Sequence, residues 1–220
     1  MMTPLIDWNQ SEVYQGQTMT PPVKRSARQL RSRQTRERIL GAAIAEFTSS
    51  GMAGADVGAI VAAAGVAHGT FFFHFPSKEH VLLELERREE ARMAADFTRF
   101  LGGAHDLATA LTHLVGLVSA LEQRFGPRLF KELLALHFSP TRPTRDEWTD
   151  HPVIVSLVRA IERASGDGEV HPEVDAFYSS TFFLLGLYGA LTTTEHGEAR
   201  DTMLAKLVTT ALRGLTNKEN

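Results

Sequence analysis

The residues best suited to bind another molecule lie in one short stretch and in a basic cluster that precedes it. Ala67, His68, Gly69 and Thr70 are small or polar, as needed for close approach to a base edge or a phosphate. Upstream, seven cations are opposed only by Glu37; they are Lys24, Arg25, Arg28, Arg31, Arg33, Arg36 and Arg38. Such a local patch indicates a polyanionic partner, although the formal net charge of the chain is −3.

Two short helices joined by a tight turn are predicted around the small residues. Asp56 is a strong N-cap for a helix over residues 57–64. Gly65 suits a turn residue with positive φ, and Val66 plugs the corner before a second helix over residues 67–74. This is the form of a helix-turn-helix, whose second helix can enter a DNA major groove. The alternative, from spacing alone, is a plain corner in an all-helical protein.

A helix over about residues 32–50 is predicted to lead from the basic cluster into this motif, with Gly51 as its C-terminal stop. Its apolar face is formed by Ile39, Ala43 and Phe47. Arg33, Arg36 and Arg38 lie in its first half, where the helix dipole disfavours cations. A bound polyanion would complete that site.

Residues 60–79, IVAAAGVAHGTFFFHFPSKE, resemble the DNA-binding signature of the TetR family of bacterial transcriptional regulators. The match extends upstream through residues 35–40, Phe47 and Gly51, and covers about the first third of the chain beyond its N-terminal arm. The resemblance implies an all-α fold: a three-helix DNA-binding head, a linking fourth helix, and a helical body for ligand binding and dimerisation.

The resemblance also implies roles for single residues. Thr70 matches a phosphate-contacting residue of the recognition helix, Lys78 matches a lysine that reaches a backbone phosphate, and Arg36 matches a basic position near the start of the first helix. Ala67, His68 and Phe73 occupy positions that usually face bases. The predicted DNA contacts are Arg33, Arg36, Asp56, Val57, Ala67, His68, Gly69, Thr70, Phe72, Phe73, His74 and Lys78.

Three residues depart from the family pattern. Phe72 replaces the usual tyrosine and so lacks a hydroxyl for phosphate, Val61 replaces a small alanine, and Asp56 replaces a threonine. Val61 would make the two helices of the motif splay or repack. These departures leave open an alternative function, a helical small-molecule-binding protein whose head no longer holds DNA.

The chain is expected to divide into four parts with about nine helices. Residues 1–30 carry Pro, Gln, Thr and Ser without periodicity and are read as a disordered basic arm, either a solvated tail or one that lies along phosphates or in a minor groove. Residues 31–76 form the helix-turn-helix domain, and residues 77–101 the linking helix, whose charged stretch 84–92 is read as a solvated face. The break at Gly102-Gly103 begins the body, residues 102–220.

In the body, helices are predicted over about residues 106–124, 127–138, 152–164, 172–195 and 198–215. The last two are apolar on more than one face and must be buried on two sides. We expect a second copy of the chain to cover one side, the alternative being a larger internal core. The candidate dimer interface comprises Phe182, Leu185, Leu204, Leu207, Val208, Ala211 and Leu215.

His113 and His137 lie among apolar helix residues. Each is either a hydrogen-bonded core histidine or a polar anchor in a ligand pocket. The candidate pocket for a small apolar or amphipathic ligand comprises Phe97, His113, Phe125, Phe130, His137, Phe138, Trp148, Phe177 and Tyr188, which read equally well as plain core.

Other chemistries are not indicated. The chain has no cysteine, which excludes disulfides and thiolate metal sites. It has no phosphate-cradling glycine loop, His-Glu-x-x-His motif or nucleophile elbow, so we expect no catalytic residue, metal or cofactor, and an enzyme is the weaker alternative. No secretory signal is visible and the longest apolar run is too short to span a bilayer, so we expect a cytoplasmic protein without a membrane partner.

Together these patterns predict a homodimer that binds a palindromic double-stranded operator. The family resemblance implies a repressor that is released by a ligand, with an activator as the alternative. Each recognition helix would enter one major groove, and a ligand in the body would shift the linking helix. That shift would change the spacing of the two heads, which must match about one helical repeat, roughly 34–36 Å.

Overall fold

The structure is a computed structural model that describes residues 27–139, 142 and 151–216. Most of the predicted arm lies outside the described residues, as does Trp148 of the predicted pocket. The end of that arm, residues 27–30, forms the first turn of the first helix.

The described residues form eight helices and no strand, apart from an isolated bridge between Val170 and Thr216. The all-α prediction is confirmed. The helices are α1 Ala27–Gly54, α2 Val57–Ala64, α3 His68–His74, α4 Lys78–Leu101, α5 Leu107–His137, α6 Pro152–Gly166, α7 Ala176–Thr193 and α8 Glu198–Leu215.

The count differs from nine because two predicted helices of the body are the two halves of α5. Gly126 separates the halves with non-helical backbone angles, φ 75° and ψ 158°, immediately before Pro127. Gly51 breaks α1 in the same way, with φ 71° and ψ 162°. Both positions need positive φ, which glycine adopts without a steric penalty.

The head is built by α1, α2 and α3 around a core formed by Ile39, Phe47, Ile60, Phe71 and Phe75, each at most 1 % exposed. Val61, the departure expected to disturb this packing, is itself buried there at 8 % exposure. In the body, α5 lies centrally and packs against α4, α6, α7 and α8, while it also contacts α1.

No single helix in the described part of the chain has the length and apolar character of a membrane span. By length and composition only, α2 and α3 pass the same criterion when joined, and they are bent by 96° at their junction.

Candidate nucleic-acid interface and ligand pocket

The turn between α2 and α3 is set by local chemistry. The Asp56 carboxylate accepts hydrogen bonds from the Gly58 and Ala59 N–H groups at 2.9 and 3.2 Å, which fixes the start of α2. Gly65 ends it in the left-handed conformation, with φ 62° and ψ 44°. Phe71, fully buried, anchors α3 to the head core. These contacts define which side of α3 faces solvent.

The exposed side of α3 carries His68, Gly69, Phe72 and Phe73, a set called here the outer face of α3. Phe73 is 80 % exposed and Phe72 is 46 % exposed. The Phe72 ring lies 5.4 Å from the His68 ring, centroid to centroid. Packing within the head does not account for the exposure of these two aromatic rings.

The other predicted contacts are more mixed in their exposure. Ala67 and Asp56 are exposed, whereas Val57, Thr70 and His74 are half-buried. Burial, helped by the nearby Arg36 cation, lowers the pKa of His74, so the imidazole is held neutral.

The Arg36 side chain, a predicted phosphate contact, has partners within the protein. Its Nη1 donates to the His74 carbonyl oxygen at 2.6 Å, its Nη2 pairs with Glu84 at 3.0 Å, and its guanidinium lies 4.1 Å from the centre of the Phe75 ring. The side chain is therefore turned towards α3 and α4 instead of the outer surface. Two of its five N–H donors thus have protein partners. A phosphate contact by Arg36 stays a prediction and would have to use the remaining donors or exchange these partners.

Lys78 also has partners within the head. Its Nζ donates to the carbonyl oxygens of Met52, Ala53 and Ala55 at 2.7, 3.3 and 3.1 Å. The last carbonyls of a helix have no intrahelical partner, and a cation there satisfies them. Lys78 thus joins the start of α4 to the end of α1, and a phosphate contact would require it to exchange these partners.

Arg38 belongs to the basic cluster named in the sequence but was not among the predicted DNA contacts. It is exposed, and its Nη1 lies 3.9 Å from the position that a Cβ at Gly65 would occupy, beside the α2–α3 turn. Arg38 makes no ion pair with another described residue. Arg36 and Arg38 are separated by about 200° around a helix, so only one of them can face outward. Ile39 marks the buried side of α1, and Arg36, three residues before it, lies near that side. The apolar spacing therefore indicates that Arg38 is the arginine that faces outward.

A second charged cluster joins α1 to α4. Arg88 pairs with Glu37 at 2.6 Å and with Glu84 at 2.8 Å. The hydrogen bond from Arg88 lowers the pKa of Glu37. Although burial opposes the shift, hydrogen bonds from Arg88 and Arg36 also hold the pKa of Glu84 below its usual value. Both carboxyls therefore stay ionised, and the head is fastened to α4.

One small cavity in the body lies between α4, α5 and α7, with room for about 30 Å³. It brings together three predicted pocket residues, Phe130, His137 and Tyr188. Its remaining lining is Glu86, Glu89, Glu90, Met93, Leu121, Leu133 and Leu134. The reading of stretch 84–92 as a solvated face is wrong for Glu86, which is only 6 % exposed.

Polar groups that line this cavity have partners within it or beside it. Glu86 is hydrogen-bonded to Nδ1 of His137 and pairs with Arg142 at 3.2 Å. His151 lies 3.3 Å from Glu90. Burial, together with the charges of Glu90 and Glu86, raises the pKa of the Tyr188 phenol well above its usual value. Entry of a ligand among these groups would have to disturb the partners of α4.

The other described residues of the predicted pocket do not line this cavity, although the Phe138 ring lies beside it, 4.7 Å from the His137 ring and 6.4 Å from the Tyr188 ring between centroids. His113 stacks on Phe100 at 3.8 Å between ring centroids and on Phe97 at 6.4 Å. Phe125 is core, Phe138 is 53 % exposed, and Phe177 packs edge-on against Tyr178. An aromatic residue at helical spacing does not reveal which inter-helix space it fills, so the ligand-binding role of these residues stays a prediction.

A wider, open groove of about 560 Å³ runs between α4 and α6. Among its lining residues are Thr98, Arg99, Ser156 and Arg159. None of the predicted pocket residues that the structure describes lines it. No group of three or more histidine and acidic side chains suited to a metal ion occurs within the described ranges.

The predicted dimer residues separate into two groups. Phe182 and Leu185 on α7 are exposed at 67 % and 45 %, and Leu204, Leu207 and Ala211 on α8 are half-buried. Val208 and Leu215 are each only 8 % exposed, so they belong to the core of their own chain and present little surface to a second copy. Tyr178 and Met203, which the sequence analysis did not name, are exposed at 58 % and 43 %.

Comparison with known proteins agrees with this architecture. Residues 39–85 match the family model of the bacterial regulatory proteins of the tetR family. Over 190 residues the chain is 26 % identical to the HTH-type transcriptional regulator UidR of Escherichia coli K12, covering 85 % of this chain and 95 % of that protein. Residues 39–85 therefore carry the TetR-family region of the chain, and the recognition made from residues 60–79 is confirmed. The comparisons support a transcriptional regulator.

Solved structures share the fold. FadR of Thermus thermophilus, a transcriptional repressor in complex with lauroyl-CoA, has a TM-score of 0.67 at 23 % identity, over 84 % of this chain and 97 % of that one. A gamma-butyrolactone receptor, described as an ArpA-like protein, has a TM-score of 0.56 at 26 % identity, over 86 % and 91 % of the two chains. The resemblance therefore extends through the body as well as the head.

Proposed function

We propose that this chain is a ligand-responsive repressor that binds a palindromic operator as a homodimer. The observation that carries the proposal is the outer face of α3. It is exposed, it is held rigidly by Phe71 and Phe75 beneath it, and Arg38 lies beside the turn that leads into it. A rigid short helix flanked by a cation suits insertion into a major groove, where phosphate contacts position the helix and base contacts specify the sequence.

Dimerisation is supported by the exposed apolar side chains of α7. Tyr178, Phe182 and Leu185 recur at helical spacing, and the rings of Tyr178 and Phe182 stack at 6.3 Å. A stripe of this kind is typical of an interaction site. Two copies joined there would carry two α3 helices, and a symmetric pair would select an operator with two related half-sites.

Coupling between ligand and DNA is supported by the position of α4. The same helix holds Glu84, which reaches the head through Arg36, and Glu86 and Glu90, which line the cavity of the body. Any movement of α4 that opens the cavity would therefore pull on the contacts that orient α3. Ligand and DNA would then weaken each other's binding by the same factor.

The ligand is proposed to be small and apolar or amphipathic. Met93, Leu121, Phe130, Leu133 and Leu134 supply the apolar part of the cavity. Its volume of about 30 Å³ is that of a closed site, so occupation requires displacement of α4, α5 or α7. A long-chain acyl-CoA accompanies FadR of Thermus thermophilus, and there too the ligand is amphipathic.

Selection of DNA from random pools by the purified full chain tests the proposal. We expect an enriched sequence with two inverted half-sites whose centres lie roughly 34–36 Å apart or a multiple of that distance. Enrichment of a single unpaired site would contradict the dimeric mode of binding. The absence of any enriched sequence would contradict DNA recognition and favour a small-molecule-binding protein.

A further inference from the structure

The most exposed aromatic ring of α3 belongs to Phe73. It is 80 % exposed, whereas Phe71, two positions earlier, is fully buried. Two residues correspond to about 200° around a helix, so the Phe73 ring points away from the head core. This exposure is therefore enforced by the burial of Phe71.

The backbone that carries Phe73 is fixed on its C-terminal side. Arg36 donates to the carbonyl oxygen of His74 at 2.6 Å, and Phe75 is 1 % exposed. The Phe73 ring lies edge-on to the His74 ring at 5.2 Å between centroids. A recognition group needs support of this kind, because a freely moving ring would not discriminate between positions on a surface.

The chemistry of a phenyl ring limits what Phe73 can read. It has no hydrogen-bond donor or acceptor and no charge, so it can recognise neither the polar pattern of base edges nor a phosphate. The apolar group on the major-groove side of the base pairs is the C5-methyl of thymine. Phe72 is less suited to this contact, because it is only 46 % exposed and lies against His68.

We propose that Phe73 reads the C5-methyl group of one thymine in each operator half-site. The inference rests on the proposed DNA-binding function and makes it more specific. Phe73 would thus be a specificity-determining residue, acting by burial of a methyl group, while Arg38 acts on phosphate.

The test uses the full-length chain and the operator enriched from random pools. Each thymine is replaced singly by deoxyuridine, which removes only the methyl group, and affinity is measured by fluorescence anisotropy. One position should lose about fourfold in affinity per half-site, and about sixteen-fold when both half-sites are changed. Phe73→Ala should bind the thymine and deoxyuridine operators equally at that position.

Two variants control for other effects. Phe73→Leu, which keeps an apolar side chain, should retain a preference for thymine, and Phe72→Ala should leave the deoxyuridine effect unchanged. Circular dichroism should show native helical content in all three variants, since Phe72 and Phe73 are exposed.

The outcomes separate this inference from the proposed function. An enriched operator that tolerates deoxyuridine at every thymine would overturn the inference alone. The same conclusion would follow if Phe73→Ala kept the full preference for thymine, or if the half-sites contained no thymine. A selection without any enriched sequence would overturn the proposed function and this inference together.

Discussion

Arg36 of α1 and Glu84 of α4 form an ion pair 3.0 Å long, across 48 residues of the chain. The same guanidinium holds the last turn of α3 through the His74 carbonyl oxygen. One side chain thus joins the linking helix to the helix proposed to read DNA. The orientation of the head relative to α4 depends on contacts that lie inside the protein and not on its outer surface.

Replacing Arg36 by glutamine should destabilise the protein. Loss of two charge-assisted hydrogen bonds and a ring contact should lower the free energy of unfolding by about 1.5–3 kcal/mol. Urea denaturation measures this loss. Exposed Arg33→Gln is the matched control and should change the free energy by no more than about 0.5 kcal/mol. If the free energy of unfolding fell no further in Arg36→Gln than in Arg33→Gln, the contacts of Arg36 would contribute nothing to stability.

Arg38 should make a contact with a DNA phosphate. Arg38→Ala should weaken binding to all sequences, and the slope of log affinity against log salt should fall by about 0.9 for each protomer. Fluorescence anisotropy over a series of salt concentrations measures the slope. Arg213→Ala, an exposed cation on α8, serves as the control and should leave it unchanged. An unaltered slope for Arg38→Ala would remove this residue from the interface.

Arg200 and Glu122 form a buried ion pair of 2.9 Å between α8 and α5, with side chains 4 % and 2 % exposed. Arg200→Met should cost about 3–5 kcal/mol in the free energy of unfolding, because the Glu122 carboxylate would stay buried without its main partner. Adding Glu122→Leu to that variant should restore most of the loss. Denaturant unfolding of both variants and of exposed Arg213→Met checks this. A double variant as unstable as Arg200→Met would refute the charge explanation.

The α7 stripe should be the dimer contact. Phe182→Glu places a charge at a side chain that is 67 % exposed, so the fold should persist while the dimer dissociates. Sedimentation velocity should show a monomer, and affinity for the two-half-site operator should fall steeply. Phe138→Glu, at a residue 53 % exposed on the body, is the control and should remain dimeric. A dimeric Phe182→Glu protein would place the interface elsewhere.

The features that the sequence determined by itself are local. The Asp56 cap, the turn at Gly65, the break at Gly51 and a break between residues 124 and 127 were all predicted, and each follows from the backbone preferences of one residue and its neighbours. The apolar spacing of α1 likewise identified Ile39, Ala43 and Phe47 as core. The order and spacing of residues 60–79 were sufficient to identify the family.

The roles of the charged residues were decided by tertiary structure. Arg36 and Lys78 find partners on other helices, and Glu86 turns towards His137, 51 residues away. Likewise, only the packing of α8 shows that Val208 and Leu215 face their own core. Helical spacing fixes which residues share a face, but the neighbour that covers that face comes from a distant part of the chain. A long charged side chain then pairs with the groups it meets there, and the local sequence does not contain them.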